Sequence, residues 1–250
     1  MKKTGKSEVR DYWQAQPCGS TLTLEKPGSP EFFAEIEAKR YRAEPFIKEF
    51  ADFASWRGKR ILEIGVGAGS DFLNFVRAGA DATGVDLTPA AIALVRQRLV
   101  LEGLSARTFV ADAERLPTQD ESFDLVYSWG VLHHTPDTAT AITEVRRVLR
   151  PGGEARVMLY SRRSWLAFGL WIRQALARGR PGQTLSDVLA RYLESPGTKA
   201  YTANEIRALF SGFSNVGLTR FVTPYDRRVG GPLTRILPAG FFIGVTASKA

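Results

Sequence analysis

The sequence predicts an α/β protein built on a seven-stranded, mostly parallel sheet. Three observations lead there. Between Lys59 and Tyr160, short apolar runs alternate with segments of helical period, which is the pattern of βαβ units. A glycine-rich turn follows the first run. Acidic residues close the next two. In such sheets, ligands bind at the carboxyl ends of the strands, near the point where strand order reverses.

Each element has its own signal. Residues 14–30, QAQPCGSTLTLEKPGSP, are rich in turn formers and read as irregular. Glu31 to about Trp56 reads as a helix or helix pair interrupted near Pro45. KRILEIGVGAGSD is a strand running into glycines, and FLNFVRAG follows at helical spacing. DATGVDLTP is a second strand ending in Asp86, and AAIALVRQRLVLEG is an amphipathic helix closed by Gly103. ARTFVADAE and FDLVYSWG are the third and fourth strands. DTATAITEVRRVLRPGG reads as a helix ended by Pro151-Gly152-Gly153, and EARVMLY as the fifth strand. NVGLTRFVTPYD and AGFFIGVTASK supply two more. Residues 161–200 break the rhythm with two helix candidates, SWLAFGLWIRQALARGRPG and TLSDVLARYLESPGT, before the helix TANEIRALF.

Composition sets the class. Hydrophobic content of 44% and charged content of 24% are those of a globular protein. Cys18 is the sole cysteine, so an internal disulfide is excluded and a reducing compartment, the cytoplasm, is expected. MKKTGKSEVRDYW has no apolar run behind its basic start and does not read as a secretory signal. No apolar run is long enough to span a bilayer. The net charge of +8 is uneven, because the chain from Thr140 onward holds 17 Lys+Arg against 6 Asp+Glu. A solvated arginine-rich surface explains this, as would attraction to an anionic surface or substrate. No nucleic-acid-binding signature is present, and no nucleic-acid partner is expected.

The chemistry lies at the strand ends. Glu63-Ile-Gly65-Val-Gly67-Ala-Gly69 lets the backbone turn tightly beneath a ligand. Ser70 breaks the G-x-G-x-x-G pattern of a dinucleotide site. Asp86 follows at a distance that suits a ribose, where a carboxylate accepts two hydrogen bonds. Asp112, beside Ala113, follows the third strand and suits an adenine amine. SWGVLHHTPD then holds both histidines of the chain, His133 and His134. A proton acceptor and a brace for the loop are both consistent with them. A metal pair is disfavoured, because adjacent histidines chelate poorly and no further ligand spacing accompanies them.

These residues resemble the class I S-adenosylmethionine-dependent methyltransferases, within the broad group that includes quinone-biosynthesis methyltransferases. ILEIGVGAG, GVDLTPAAI, ADAERLPTQDESFDLVYSWGVLHHTPD and EVRRVLRPGGEARV carry the likeness, over roughly Lys59 to Tyr160. The resemblance implies a Rossmann-like fold with the last strand antiparallel, N-terminal helices and a helical cap. It divides the chain into a lid segment (1–57), a cofactor-binding core (58–160), a substrate-cap insertion (161–200) and a C-terminal completion of the sheet (201–250). It implies that Gly65, Gly67 and Gly69 pass under S-adenosylmethionine and that Glu63 orders their loop. Asp86 would bind the ribose with Leu87 on the adenine, Asp112 and Ala113 would contact the adenine, and the Ser128 carbonyl would meet the methionyl amine. Tyr12 and Tyr41 are candidates to cover the cofactor. Trp13, Tyr160, Trp165, Tyr201 and Tyr225 are candidates for the acceptor pocket, and His133 or His134 for a general base.

The implied reaction is metal-free, in-line transfer of a methyl group to a small molecule, of aromatic, lipidic, natural-product or sugar type. Acidic metal ligands after the fourth strand, paired glutamates and an Asn/Asp-Pro-Pro-Tyr motif are all missing, which favours a small acceptor over a macromolecule. The alternative is a non-catalytic cofactor-binding protein seated on a membrane. The apolar 165–176 segment, flanked by arginines, reads as a core or cap helix over an apolar acceptor, with a homodimer contact and a peripheral membrane element as the alternatives.

Overall fold

The computed structural model describes residues 5–237 and 239–250; residues 1–4, which open the lid segment, and Pro238 lie outside the described residues. Five strands are parallel: β1 (Arg60–Ile64), β2 (Asp81–Asp86), β3 (Arg107–Val110), β4 (Phe123–Trp129) and β5 (Leu149–Tyr160). β6 (Ser214–Phe221) lies at the edge, and β7 (Phe242–Ser248) runs antiparallel between β5 and β6. The sheet order is β3-β2-β1-β4-β5-β7-β6, and the last strand is antiparallel, as the resemblance implies. The order reverses between β1 and β4, and their carboxyl ends open the crevice where ligands bind.

Alternation along the strands supplies two cores. Ile61, Leu125 and Tyr127 pack on one face, together with α3 (Phe46–Ala51), α4 (Ser70–Arg77) and α5 (Pro89–Leu101). Leu62, Ile64 and Val126 pack on the other, with α6 (Thr138–Val148) and α9 (Ala203–Leu209). Every residue of β4 is buried, as a central parallel strand requires.

The N-terminal segment is tied down by charge as well as packing. α1 (Lys6–Ala15) precedes α2 (Pro30–Ala43), which buries Phe32, Phe33 and Ile36 in a cluster with Ala68 of the glycine loop. Each such side chain contributes roughly 1.5–3 kcal/mol. Arg98 of α5 is buried and pairs with Glu37 of α2 and Glu102, and Arg77 of α4 binds the same two carboxylates at 2.9 and 2.6 Å. Burial opposes the charged carboxylate of Glu37, but hydrogen bonds from Arg77 and the Arg98 charge outweigh it and lower its pKa.

α7 (Trp165–Gln174) and α8 (Leu185–Tyr192) follow β5 where the resemblance implied a cap insertion. They lead into α9 through a turn at residues 193–202. Two readings of the sequence need correction. TPYD does not extend β6; it opens α10 (Pro224–Gly230), followed by α11 (Leu233–Ile236). Thr223 accepts from the Asp226 amide, and Asp226 accepts from the Thr223 amide and hydroxyl. That reciprocal cap, with Pro224 at the first position, starts a helix. The Pro-Gly-Gly turn belongs to the start of β5 rather than to the end of α6, because Leu149 already pairs with Phe123.

Arg98→Ala leaves Glu37 and Glu102 short of their buried partner. We expect a loss of about 3 kcal/mol, read as a lower urea midpoint at unchanged m-value; an unchanged midpoint would show that the lid is held by packing alone.

Candidate active site

The backbone after β1 cannot carry side chains where it turns. Gly65 has φ +83°, and a Cβ there would lie 2.2 Å from Val131 Cγ2. Its amide donates to Val85 O at 2.7 Å. The acid ending β2 fixes the same loop. Asp86 Oδ2 accepts from the Gly67 amide at 3.1 Å, and Oδ1 accepts from the Thr88 amide and hydroxyl at 2.9 and 2.8 Å. Burial raises the Asp86 pKa against these hydrogen bonds. Oδ2 retains capacity for a second donor.

This loop floors a cavity of about 330 Å³. Glu63, Gly65, Gly67, Asp86, Leu87, Asp112 and Ala113 line it. Glu63 is buried, and its Oε2 has no hydrogen-bond partner. Burial first, then the Asp71 charge, hold its pKa well above the usual carboxylate value. Its side chain does not brace the glycine loop as the resemblance implied; Asp86 does that. Asp112 Oδ1 accepts from the Glu114 amide at 2.9 Å, while Oδ2 is bound by Lys6 of α1.

The insertion supplies the remaining chemistry. The turn after α8 brings Glu194, Ser195 and Thr198 onto His134. Thr198 donates its hydroxyl proton to Ser195 O at 2.7 Å. At 3.0 Å from His134 Nδ1 it can therefore only accept, so Nδ1 carries a proton. Nε2 lies 3.3 Å from Glu194 Oε2, which also accepts from the Tyr160 hydroxyl at 2.9 Å. His134, Glu194 and Trp13 line the cavity, and Trp13 meets the His134 ring edge-on at 5.2 Å.

Comparisons with known proteins place the fold among methyltransferases. Residues 62–157 match the family described as a methyltransferase domain. Phthiotriol/phenolphthiotriol dimycocerosates methyltransferase 1 of Mycobacterium ulcerans is 35% identical over 189 residues, 73% of this chain and 64% of that protein. Ubiquinone biosynthesis O-methyltransferase of Aromatoleum aromaticum is 35% identical over 102 residues, 40% of this chain and 44% of that protein. The chain spans between 36% and 64% of the length of the first curated relatives it matches. The crystal structure of the PH0226 protein of Pyrococcus horikoshii OT3 superposes with a TM-score of 0.65 at 16% identity, over 96% of this chain and 99% of that one. Residues 62–157 carry a methyltransferase domain.

In this methyltransferase domain the cavity suits a cationic cofactor. Six carboxylates and three basic side chains line it, an acidic excess inside a protein of net charge +8. The sulfonium and ammonium of S-adenosylmethionine complement that excess, and the unpartnered Glu63 oxygen has room for a donor. The sequence missed Lys6, Arg40, Glu44 and Glu194. Lys6 and Arg40 sit on helices without any motif, and Glu194 sits in an insertion whose path no local pattern reveals.

Several expected residues lie elsewhere. Ser128 is buried, with its hydroxyl donating to Ile64 O at 3.0 Å. Gly69 caps α4. The Tyr41 hydroxyl lies 3.1 Å from Ser70 O and 3.0 Å from Asp71 and accepts from Asn74, so it braces α4 from outside the cavity lining. Tyr12 packs against Trp13, and its ring does not line the cavity. Trp165 donates to Leu237 O, and Tyr201 packs on the second core; neither lines the cavity. Tyr160 stands behind Glu194 rather than in the lining, whereas Tyr225, on the first turn of α10, lines it.

The two histidines separate. His133 is fully buried outside the lining, with its ring 3.7 Å from that of Tyr160. Neither of its nitrogens has a hydrogen-bond partner among the described residues. Burial first, then the His134 and Lys199 charges, hold its pKa well below 6.5, against a smaller opposing pull from the Met158 backbone. Ligand atoms of His133, His134 and Glu194 lie within 4.8 Å of one another, the one such cluster among the described residues. The ring of His133 packs tilted against Tyr160, Nδ1 of His134 is taken by hydroxyls, and the Glu194 carboxylate is bonded by Tyr160, so the cluster reads as a proton-holding network.

A neutral His133 in the fold faces a protonatable one in the unfolded chain. Its contribution is therefore intact above pH 6.5 and lost as pH falls below it. Wild type should lose about 1.4 kcal/mol more per pH unit than His133→Phe between pH 6.5 and 5, measured by denaturant unfolding; parallel slopes would contradict the buried neutral state.

Proposed function

We propose that this chain transfers a methyl group from S-adenosylmethionine to a small, lipid-like acceptor that has a proton to lose. The observation that carries the reading is one cavity holding the acids of β1 to β3 together with the His134–Glu194 pair. When bound, S-adenosylmethionine supplies a methyl group activated by its sulfonium. The chain's residues have three tasks: binding, alignment and removal of a proton.

Asp86 takes the ribose hydroxyls, and Leu87 and Ala113 pack on the adenine. Asp112 takes the adenine amine, which then shares Oδ2 with Lys6. Glu63 suits the ammonium end. Alignment within a closed cavity is worth on the order of 7–11 kcal/mol. The acceptor proton passes to Glu194, whose carboxylate faces the cavity and is half-exposed. His134 Nε2 then shares that proton at 3.3 Å. Tyr160 and the Ser195–Thr198 hydroxyls are positioning residues, since they fix the carboxylate and the imidazole tautomer. In this reading His133 is a packing residue and no metal takes part.

Two facts support an apolar acceptor. Trp13, Val131, Tyr225 and Phe242 line the cavity beside the acids. One relative is named for phthiotriol/phenolphthiotriol dimycocerosates, which are lipids. The single cysteine supports a reducing compartment, the cytoplasm, as the place of action.

Calorimetry with S-adenosylhomocysteine tests the cofactor half. Binding is expected, and Asp86→Ala should weaken it by roughly 10- to 100-fold, the loss of one or two hydrogen bonds to a charged group. Absence of binding to the wild type would end the reading. For the acceptor half, Glu194→Gln should lower turnover of a methyl-accepting lipid extract by about 10²–10⁴-fold with S-adenosylhomocysteine affinity kept within threefold. Unchanged turnover would remove Glu194 from the proton path.

A further inference from the structure

α7 is apolar almost all round, yet Ala167 is its one fully buried residue. Phe168, Ile172 and Leu176 form a stripe at i, i+4, i+8 along α7 and the turn after it, and all three are exposed. α10 and α11 continue that surface. Val229 packs onto Gly169 so closely that a Cβ there would meet its side chain at 2.6 Å, and Trp165 donates to Leu237 O at 2.9 Å. Val229, Leu233 and Ile236 are 44%, 55% and 83% exposed. Single exposed apolar residues are ordinary, but a contiguous face built from three helices is not.

The charge on this face says what covers it. Arg173, Arg178, Arg180, Arg227, Arg228 and Arg235 are exposed on or beside these helices. None of the six pairs with a carboxylate among the described residues. The one acid of α7, α10 and α11 is Asp226, which is fully buried and spent on the α10 cap and on the Phe241 amide. A second copy of the chain would set arginine against arginine across the contact, which opposes a dimer through this face. Unpaired arginines around an apolar surface complement anionic lipid headgroups over an acyl interior. The longest of the three helices has ten residues, and among the described residues no helix is long and apolar enough to cross a membrane, so such a face suits the surface of a bilayer and not its interior.

The face also reaches the active site. α10 opens with Pro224 and Tyr225, and both line the cavity. We propose that the α7–α10–α11 face docks the protein on an anionic membrane surface and that the acceptor enters the cavity from that surface past Tyr225. This rests on the lipid-acceptor reading above, but the docking can fail while cofactor binding holds.

Co-sedimentation of the full chain with vesicles tests it, using phosphatidylcholine alone and phosphatidylcholine with one quarter phosphatidylglycerol. Binding is expected to the anionic vesicles and to weaken as salt rises. The triple variant Arg227→Ser, Arg228→Ser, Arg235→Ser should lower the partition coefficient on the order of a hundredfold. The pair Leu233→Asp, Ile236→Asp should lower it at least tenfold. S-adenosylhomocysteine calorimetry on each variant checks that the fold is kept. Absent or equal binding to both vesicle types overturns the proposal, and so does anionic-vesicle binding that the variants do not change. A dimer in analytical ultracentrifugation that the Leu233/Ile236 variant dissolves also overturns it, by assigning the face to a second copy. Loss of S-adenosylhomocysteine binding in the wild type would instead strike the proposed function and leave the vesicle result standing on its own.

Discussion

The passage of bare backbone after β1 is the constraint on which the site depends. At Gly65 a methyl group would collide with Val131, and the left-handed φ would be strained for any other residue. The loop therefore lies against the β4 side of the crevice, and Asp86 holds it from the β2 side. Asp86 also binds Thr88, which caps α5. One carboxylate thus joins the loop, the second strand and a helix terminus. Ala68 receives the aromatic cluster of α2. Asp71, just inside α4, takes Arg40, Tyr41 and Tyr127. The lid segment can settle on the core because the loop is thin and fixed.

The segment between β5 and α9 adds a further polar group to the cavity. The glycine loop and its acids line one side of the cavity. Glu194 arrives from a separate stretch of chain, and Ser195 and Thr198 from the same turn select the His134 tautomer. Methyltransferase folds host many chemistries, and function resides in the site grafted onto them. Here the grafted part is the turn after α8, while the outer faces of α7, α10 and α11 carry unpaired arginine. The basic half of the sequence and the acidic cavity are therefore two distinct surfaces of opposite charge.

The sequence and the structure agree where local rules act alone. The seven strands, the glycine turn and the acids at the strand ends were legible because alternation and turn chemistry are short-range signals. α10 was misread as strand: Phe221, Val222 and Tyr225 carry β-propensity, and the Thr223–Asp226 cap that overrides it has Asp where glutamate is usual. His133 and His134 are indistinguishable in sequence, and only the packing of Tyr160 against one and the arrival of Ser195 at the other separate them. Glu194 and Lys6 act across 60 and 106 positions, a separation at which no periodicity carries information. Tyr41 looked like a cofactor contact because it is an aromatic in the lid, yet its hydroxyl is bound to the first turn of α4.

A crystal structure with S-adenosylhomocysteine tests the central claim most directly. The account predicts ribose hydroxyls within hydrogen-bond distance of Asp86 and a sulfur whose open side faces the Glu194 carboxylate. A nucleoside seated away from Asp86, or a sulfur turned from Glu194 with the acceptor space on another wall, would contradict it.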